Sequence, residues 1–175
     1  LGDKLTTIED DCFLYCSSLN EITLNDSIKL IGENAFMGCA SLAKFNVTKN
    51  VQTIGDGAFS ACSNLERIDV EQENMYFSSE SGILYDKDHT RIIFVPNNLK
   101  GNIKIPVGVK VIDSRLFCGN ENITGVEIPD TVVSIGDYAF TGCINLEKII
   151  LGTNIINLGD GIVNNTAYAK NPKNI

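Results

Sequence analysis

The sequence predicts an α/β repeat fold: a right-handed solenoid of about five full coils of 23 residues, a partial terminal coil and a β-hairpin insertion. Three observations predict it. Ile8, Ile31 and Ile54 are spaced by 23 residues, and so are Phe13, Phe36 and Phe59, and Cys16, Cys39 and Cys62. In the clearest copy, residues 51–70, apolar positions recur first at helical and then at strand spacing. A single copy cannot close a core, so copies must cover one another.

That copy reads V-x-x-I-G-x-x-A-F-x-x-C-x-x-L-x-x-I-x-V. Ala58 and Cys62 follow Ile54 at four and eight residues, with Phe59 beside Ala58. This spacing predicts a short helical turn, because residues three and four apart share a helix face. Ile68 and Val70 then alternate with Arg67 and Asp69, which predicts a half-buried strand. Phe59 is expected in the core.

The first copy runs through Leu5, Ile8, Cys12, Phe13, Cys16, Leu19, Ile22 and Leu24. The second runs through Ile28, Ile31, Ala35, Phe36, Cys39, Leu42, Phe45 and Val47. After the third, the next reference isoleucine is Ile112, which is 58 residues beyond Ile54. The added stretch is expected as a hairpin arm at about 72–106. Gly82–Asp86 and Arg91–Pro96 read as its strands, and residues 74–81 and 97–102 as polar connectors.

The fourth copy has Val109, Ile112, Phe117, Ile123, Val126 and Ile128, with Asn120 in the cysteine position and Cys118 displaced by two. The fifth has Val132, Ile135, Gly136, Ala139, Phe140, Cys143, Leu146 and Ile149. The sixth begins Ile155, Leu158, Gly159, but Val163 and Thr166 replace phenylalanine and cysteine, and Pro172 falls at a strand position. Terminal repeats of solenoids are commonly atypical. The period lies within that of leucine-rich repeats, and 1–175 reads as one such domain.

Composition sets bounds on function. Hydrophobic content of 43% and charged content of 21% suit a folded chain. A net charge of -8 argues against nucleic acid and anionic membrane surfaces as partners. No apolar run approaches a membrane span of about 18 residues, so direct membrane insertion is not expected. There is no initiator methionine and no signal-peptide pattern, and the chain reads as a portion of something longer. Cys16, Cys39, Cys62 and Cys143 share one template position, while Cys12 stands where Ala35 and Ala58 do. These read as small buried apolar slots, a reduced cysteine ladder rather than a disulfide framework or a zinc site.

The pattern C-x-x-L-x-x-I-x-L followed by V-x-x-I-G-x-x-A-F-x-x-C is carried by Cys39, Leu42, Phe45 and Val47, then Val51, Ile54, Gly55, Ala58, Phe59 and Cys62. Cys143, Leu146, Ile149 and Leu151 carry it again. It resembles the BspA-type leucine-rich repeats of bacterial surface proteins, over nearly the whole chain. Residues 81–96 look like the hairpin insertion of such proteins. The resemblance implies a non-enzymatic adhesion and interaction scaffold, secreted or displayed at the cell surface, as one module of a longer chain. A spacer that holds another domain away from the surface is the alternative.

The natural binding surface is the outward face of the strands: Glu21, Thr23, Lys44, Asn46, Arg67, Asp69, Glu127, Lys148 and Ile150. The competing reading is an ordinary solvated sheet face, since no aromatic residue stands in these rows; Arg67 is the best single candidate. The expected partner is a protein or glycan ligand, with host matrix or surface proteins as one class. Tyr76, Phe77, Tyr85 and Phe94 are expected to pack the hairpin on its scaffold. Asp86 and Asp88 read as turn formers rather than calcium ligands. His89 is expected at a solvated tip where nothing would orient it as a base. Asn46, Asn122 and Asn164 begin glycosylation sequons. Gly159-Asp160-Gly161 lacks the lysine and context of a phosphate loop. Neither a catalytic set nor a cofactor or metal is expected.

Overall fold

The computed structural model describes residues 1–170, which fall into two compact units, Leu1–Asp88 and the described residues from His89 onward. The expected proline break at Pro172 lies outside the described residues. Each unit is a β-solenoid of leucine-rich-repeat coils with almost no helix. Among the described residues the only α-helix is α1, Ala167–Lys170.

The first unit holds β1 (Thr7–Ile8), β2 (Leu30–Ile31), β3 (Lys44–Val47), β4 (Thr53–Ile54), β5 (Arg67–Val70), β6 (Phe77–Glu80) and β7 (Ile83–Asp86). β1, β2 and β4 form a parallel ladder that pairs Ile8 with Ile31 and Ile31 with Ile54, so the 23-residue period is the register. β3 and β5 pair in parallel, Phe45 opposite Ile68 and Val47 opposite Val70. β6 and β7 form an antiparallel hairpin turning at Ser81 and Gly82. The stretch expected as a polar connector over 74–81 therefore supplies a strand. Its cause is buried Asn74, whose amide donates to the carbonyls of Thr48 and Val51 at 2.9 and 3.0 Å. Its Oδ1 accepts the Tyr76 and Phe77 amides, both at 2.8 Å, which launches β6 from the coil.

The predicted helical turns do not form, and the reason is visible in the backbone. In the second coil the N–H groups of Asn34, Phe36 and Gly38 donate to Asp56, Ala58 and Ser60 of the next coil, at 3.0, 2.8 and 2.8 Å. The intervening Ala35, Met37 and Cys39 donate back three residues instead. Alternate donors are thus spent on the neighbouring coil, and a helix cannot propagate. The alternation requires left-handed residues three and seven places after each reference position. Asp11 and Tyr15, Asn34 and Gly38, and Gly57 and Ala61 all have φ between 50° and 75°. A left-handed non-glycine costs about 1–2 kcal/mol, and the inter-coil hydrogen bonds, at about 0.5–1.5 kcal/mol each, offset it.

The core of the first unit is a set of columns. Phe36 stacks on Phe13 at 5.1 Å and on Phe59 at 5.7 Å, rings within 3° of parallel. Phe45 meets Phe36 and Phe59 edge-on at 5.0 and 4.7 Å. Phe59 is buried, as its place in the template demands. The cysteine column corrects the sequence reading in two respects. Cys39 and Cys62 are buried, but Cys12 and Cys16 are exposed among the described residues, where their coil pairs only with the second one. Nor are the buried thiols merely apolar. Cys39 Sγ donates to the Phe13 carbonyl at 3.2 Å and Cys62 Sγ to that of Phe36 at 3.1 Å. Burial, reinforced by Cys39, pushes the Cys62 thiol up to about 11, so its S–H stays a donor.

The second unit holds β8 (Ile92–Phe94), β9 (Gly101–Lys104), β10 (Val111–Ile112), β11 (Ile123–Glu127), β12 (Ser134–Ile135), β13 (Lys148–Ile150) and β14 (Asn157–Leu158). β10, β12 and β14 repeat the reference ladder, pairing Ile112 with Ile135 and Ile135 with Leu158. β9, β11 and β13 form the second parallel sheet, with Ile103 beside Val126 and Val126 beside Ile149. Arg91 bridges Val111, and Lys110 N donates to Thr90 O at 2.8 Å. Residues 90–104 thus run in the stack of this unit, and β9 begins inside the expected connector over 97–102.

The same turn alternation recurs. Arg115 and Gly119, Tyr138 and Gly142, and Gly161 and Asn165 are left-handed. Phe117 stacks on Phe140 at 5.0 Å, and Cys143 Sγ donates to Phe117 O at 3.0 Å, its thiol pushed up by burial to about 12. Asn120, in the cysteine position, is buried and donates to Pro96 O one coil earlier at 3.4 Å. Asparagine thus supplies the donor that the thiol supplies elsewhere. Cys118, displaced from the column, is exposed. In the last coil Leu158 is 55% exposed, and Thr166 is buried with its hydroxyl bonded to Val163 O.

Candidate binding face

In the first unit the side chains that alternate away from Phe45, Val47 and Ile68 form two registered rows. Lys44 lies beside Arg67, and Asn46 beside Asp69. Lys44, Asn46 and Arg67 are exposed and Asp69 is half-buried. Arg67 and Asp69, two apart on β5, form an ion pair on this face, and the carboxylate raises the Arg67 pKa. The far edge of β5 is covered by the hairpin. Ile68 N donates to Gly82 O at 3.1 Å and Val70 N to Ser79 Oγ at 3.0 Å. The face therefore ends at the hairpin turn, where a Cβ on Gly82 would come within 2.9 Å of Arg67 Cβ.

Glu21 and Thr23 are exposed as expected, but they stand on no strand. Among the described residues no backbone ladder joins them to β3. They are not an ordered continuation of the Lys44 and Asn46 rows.

In the second unit the corresponding rows are Asn102, Gly125 and Lys148, then Lys104, Glu127 and Ile150. Glu127 joins three strands. Its Oε1 accepts Asn102 Nδ2 at 2.7 Å, its Oε2 meets Lys104 Nζ at 3.1 Å, and Ile150 is its partner on β13. The Asn102 amide first and then the Lys104 ammonium hold its carboxyl below the usual range. Gly125 makes this possible, because a Cβ there would lie 2.4 Å from Asn102 Oδ1. Lys148 and Ile150 are exposed. Sequence reasoning missed Asn102 and Lys104. Their signal was the alternation N-I-K-I before Pro106.

The remaining candidates are dispersed. Phe77 and Tyr85 are buried and Phe94 is half-buried, but Tyr76 is 48% and Met75 74% exposed. Burial pushes the Tyr85 hydroxyl up to about 12. His89 is half-buried with φ of 55°, not a fully solvated tip residue. Of the sequon asparagines, Asn46, Asn122 and Asn164 are exposed, while Thr48 and Thr166 are buried. Among the described residues no three His, Cys, Asp or Glu side chains gather as a metal site would require. No described helix is long and apolar enough to cross a membrane.

The sequence signature of the BspA type Leucine rich repeat region matches residues 1–101 and 91–172, in 6 copies. The fold is similar to a leucine rich cell surface protein from Faecalibacterium prausnitzii A2-165, at 32% identity and a TM-score of 0.84 over 93% of this chain and 43% of that one. It is similar to the pneumococcal vaccine antigen PcpA, at 26% identity and 0.80, over 94% of this chain and 52% of that one. A leucine-rich repeat protein from Eubacterium ventriosum ATCC 27560 shares the fold at 20% identity and 0.59, over 83% and 57%. The chain thus spans less than two thirds of each of these proteins. No curated protein matches it.

Proposed function

Because this chain belongs to the BspA-type leucine-rich-repeat family, we propose that it is a non-catalytic interaction module displayed at the cell surface, binding a protein or glycan ligand through its outward strand rows. The observation that carries the reading is the registered charge and amide pattern on those rows. Lys44 beside Arg67 and Asn46 beside Asp69 line the first unit, and Lys104, Glu127 and Lys148 the second. These groups are held at strand spacing by the coils beneath them, so a ligand meets a preorganised surface with little ordering cost. Arg67, already oriented by Asp69, is the side chain best suited to a central contact. Surface display is supported by the similar Faecalibacterium protein, described as a leucine rich cell surface protein.

The test is binding of the chain to host matrix proteins and a glycan array, followed by charge reversal on the rows. Lys44→Glu with Arg67→Glu, and separately Lys148→Glu, are expected to abolish or sharply weaken binding while the thermal transition is kept. If every detected interaction survives both variants, the strand rows are not the site.

A further inference from the structure

We propose, resting on the strand-row reading of function, that the rows of the first unit bind a linear sulfated polysaccharide, with one sulfate bridging Lys44 and Arg67. The first unit is strongly acidic: residues 1–88 hold fifteen Asp and Glu against six Lys and Arg. Its strand rows reverse that balance, with Lys44 and Arg67 against Asp69 alone. Lys44 and Arg67 stand directly opposite each other on paired strands, about 4.8 Å apart. Like charges so placed destabilise a sheet, and an anion held between them relieves the repulsion.

The donors on these rows remain available. Lys44 is exposed and forms no ion pair among the described residues, and Glu21, one repeat earlier, does not reach it. Arg67 gives Nη2 to Asp69 Oδ1, which leaves further N–H donors of its guanidinium open to a second anion. Asn46, exposed beside Asp69, adds a side-chain amide. The hairpin turn backs the stem of Arg67, since a Cβ on Gly82 would come within 2.9 Å of its Cβ. Stem and head are thus both positioned before a ligand arrives.

Each feature narrows the ligand. Lys44, Asn46, Arg67 and Asp69 include no aromatic or apolar side chain, so the rows lack the anchors of a protein interface and a ring on which a neutral sugar could stack. Charge is what remains. A carboxylate offers Arg67 only what Asp69 already gives, whereas the three terminal oxygens of a sulfate ester can accept from Arg67 and Lys44 together. The acidic remainder of the unit repels a broad polyanion such as a membrane surface or nucleic acid. A thin sugar chain, lying on the rows alone, escapes most of that repulsion. In the second unit Glu127 stands among the row cations and already holds Lys104 at 3.1 Å, which assigns the sulfate to the first unit.

The experiment titrates the folded chain with a short heparin oligosaccharide in a calorimeter, with fully desulfated heparin of the same length, dextran and polyglutamate as comparisons. The sulfated chain is expected to bind, more weakly as salt rises, and the other three to give no heat. Lys44→Gln and Arg67→Gln are each expected to weaken binding about tenfold. Lys29→Gln removes an exposed lysine of the same unit away from the rows and is expected to bind as the parent does. All three variants are expected to keep the parent's thermal transition, since the side chains are exposed. If the heparin oligosaccharide does not bind, or any of the three comparisons binds as tightly, the sulfated ligand is overturned and the strand-row reading stands on its own test. If heparin binds but neither row variant weakens it, or Lys29→Gln weakens it equally, the rows are not where it sits, and both fall together.

Discussion

Replacing Gly55 with alanine tests how closely the coils approach. Gly55 follows the reference isoleucine, and its φ lies outside the left-handed region, so the backbone itself would accept alanine. A Cβ there, however, would sit 2.4 Å from Glu33 N, 2.6 Å from Gly32 C and 2.7 Å from Glu33 Cα. All three are backbone atoms of the preceding coil, so no rotamer relieves the clash. Two effects oppose each other. Alanine restricts the unfolded chain and stabilises by about 0.4–1 kcal/mol. Overpacking costs about 1–3 kcal/mol. The second wins, because Gly55 N donates to Ile31 O at 2.8 Å and fixes the spacing that the methyl group would have to open. The expected net loss is about 1–2 kcal/mol. Urea unfolding reads it as a lower midpoint at unchanged slope. Gly2→Ala is the control, since nothing lies within 4 Å of its Cβ, and its midpoint is expected to stay put. A Gly55→Ala midpoint at or above the parent's would refute the close approach.

Two further outcomes follow from buried and surface polar groups. Asn74→Ala removes the partner of two carbonyls and two amides at a fully buried site and is expected to cost about 2–4 kcal/mol. Hydrogen exchange should accelerate at the Tyr76 and Phe77 amides, and unchanged protection there would mean that Asn74 does not hold the hairpin. Glu127 has a depressed folded pKa, so its contribution is present above the unfolded carboxylate value and is lost as pH falls through the folded one. An NMR titration should place its midpoint below that of an ordinary glutamate, and Asn102→Ala should move it back up; a midpoint indifferent to Asn102 would show that the amide does not hold the carboxylate.

The 23-residue register was legible because identical side chains fill identical places, as Ile8, Ile31 and Ile54 do along one ladder. The outward rows of β3, β5 and β13 were legible from two-residue alternation alone. The helical turn was misread because its evidence, Ile54 with Ala58 and Cys62, is a spacing, and the observed alternating turn places those side chains on the same inward face. What separates the two conformations is the sign of φ. Gly57, Gly161 and Asn34 carry that information, but Asp11, Arg115 and Tyr138 occupy equivalent left-handed positions and conceal it. The concealment has a structural counterpart in the second unit. Arg115 and Tyr138 come from left-handed residues of adjacent coils, and the guanidinium lies 5.2 Å from the ring centroid. Such a contact is worth about 0.5–1 kcal/mol at an exposed site, against about 1–2 kcal/mol for each left-handed non-glycine. It therefore lowers the cost of placing bulky residues where glycine serves in other coils, but does not remove it. The remainder is met by the N–H bonds that Arg115 and Tyr138 give to Asp137 and Asp160 at 3.0 and 2.8 Å. The left-handed turn is thus dictated by the neighbouring coil rather than by its own residue, which is why single-copy reasoning could not see it.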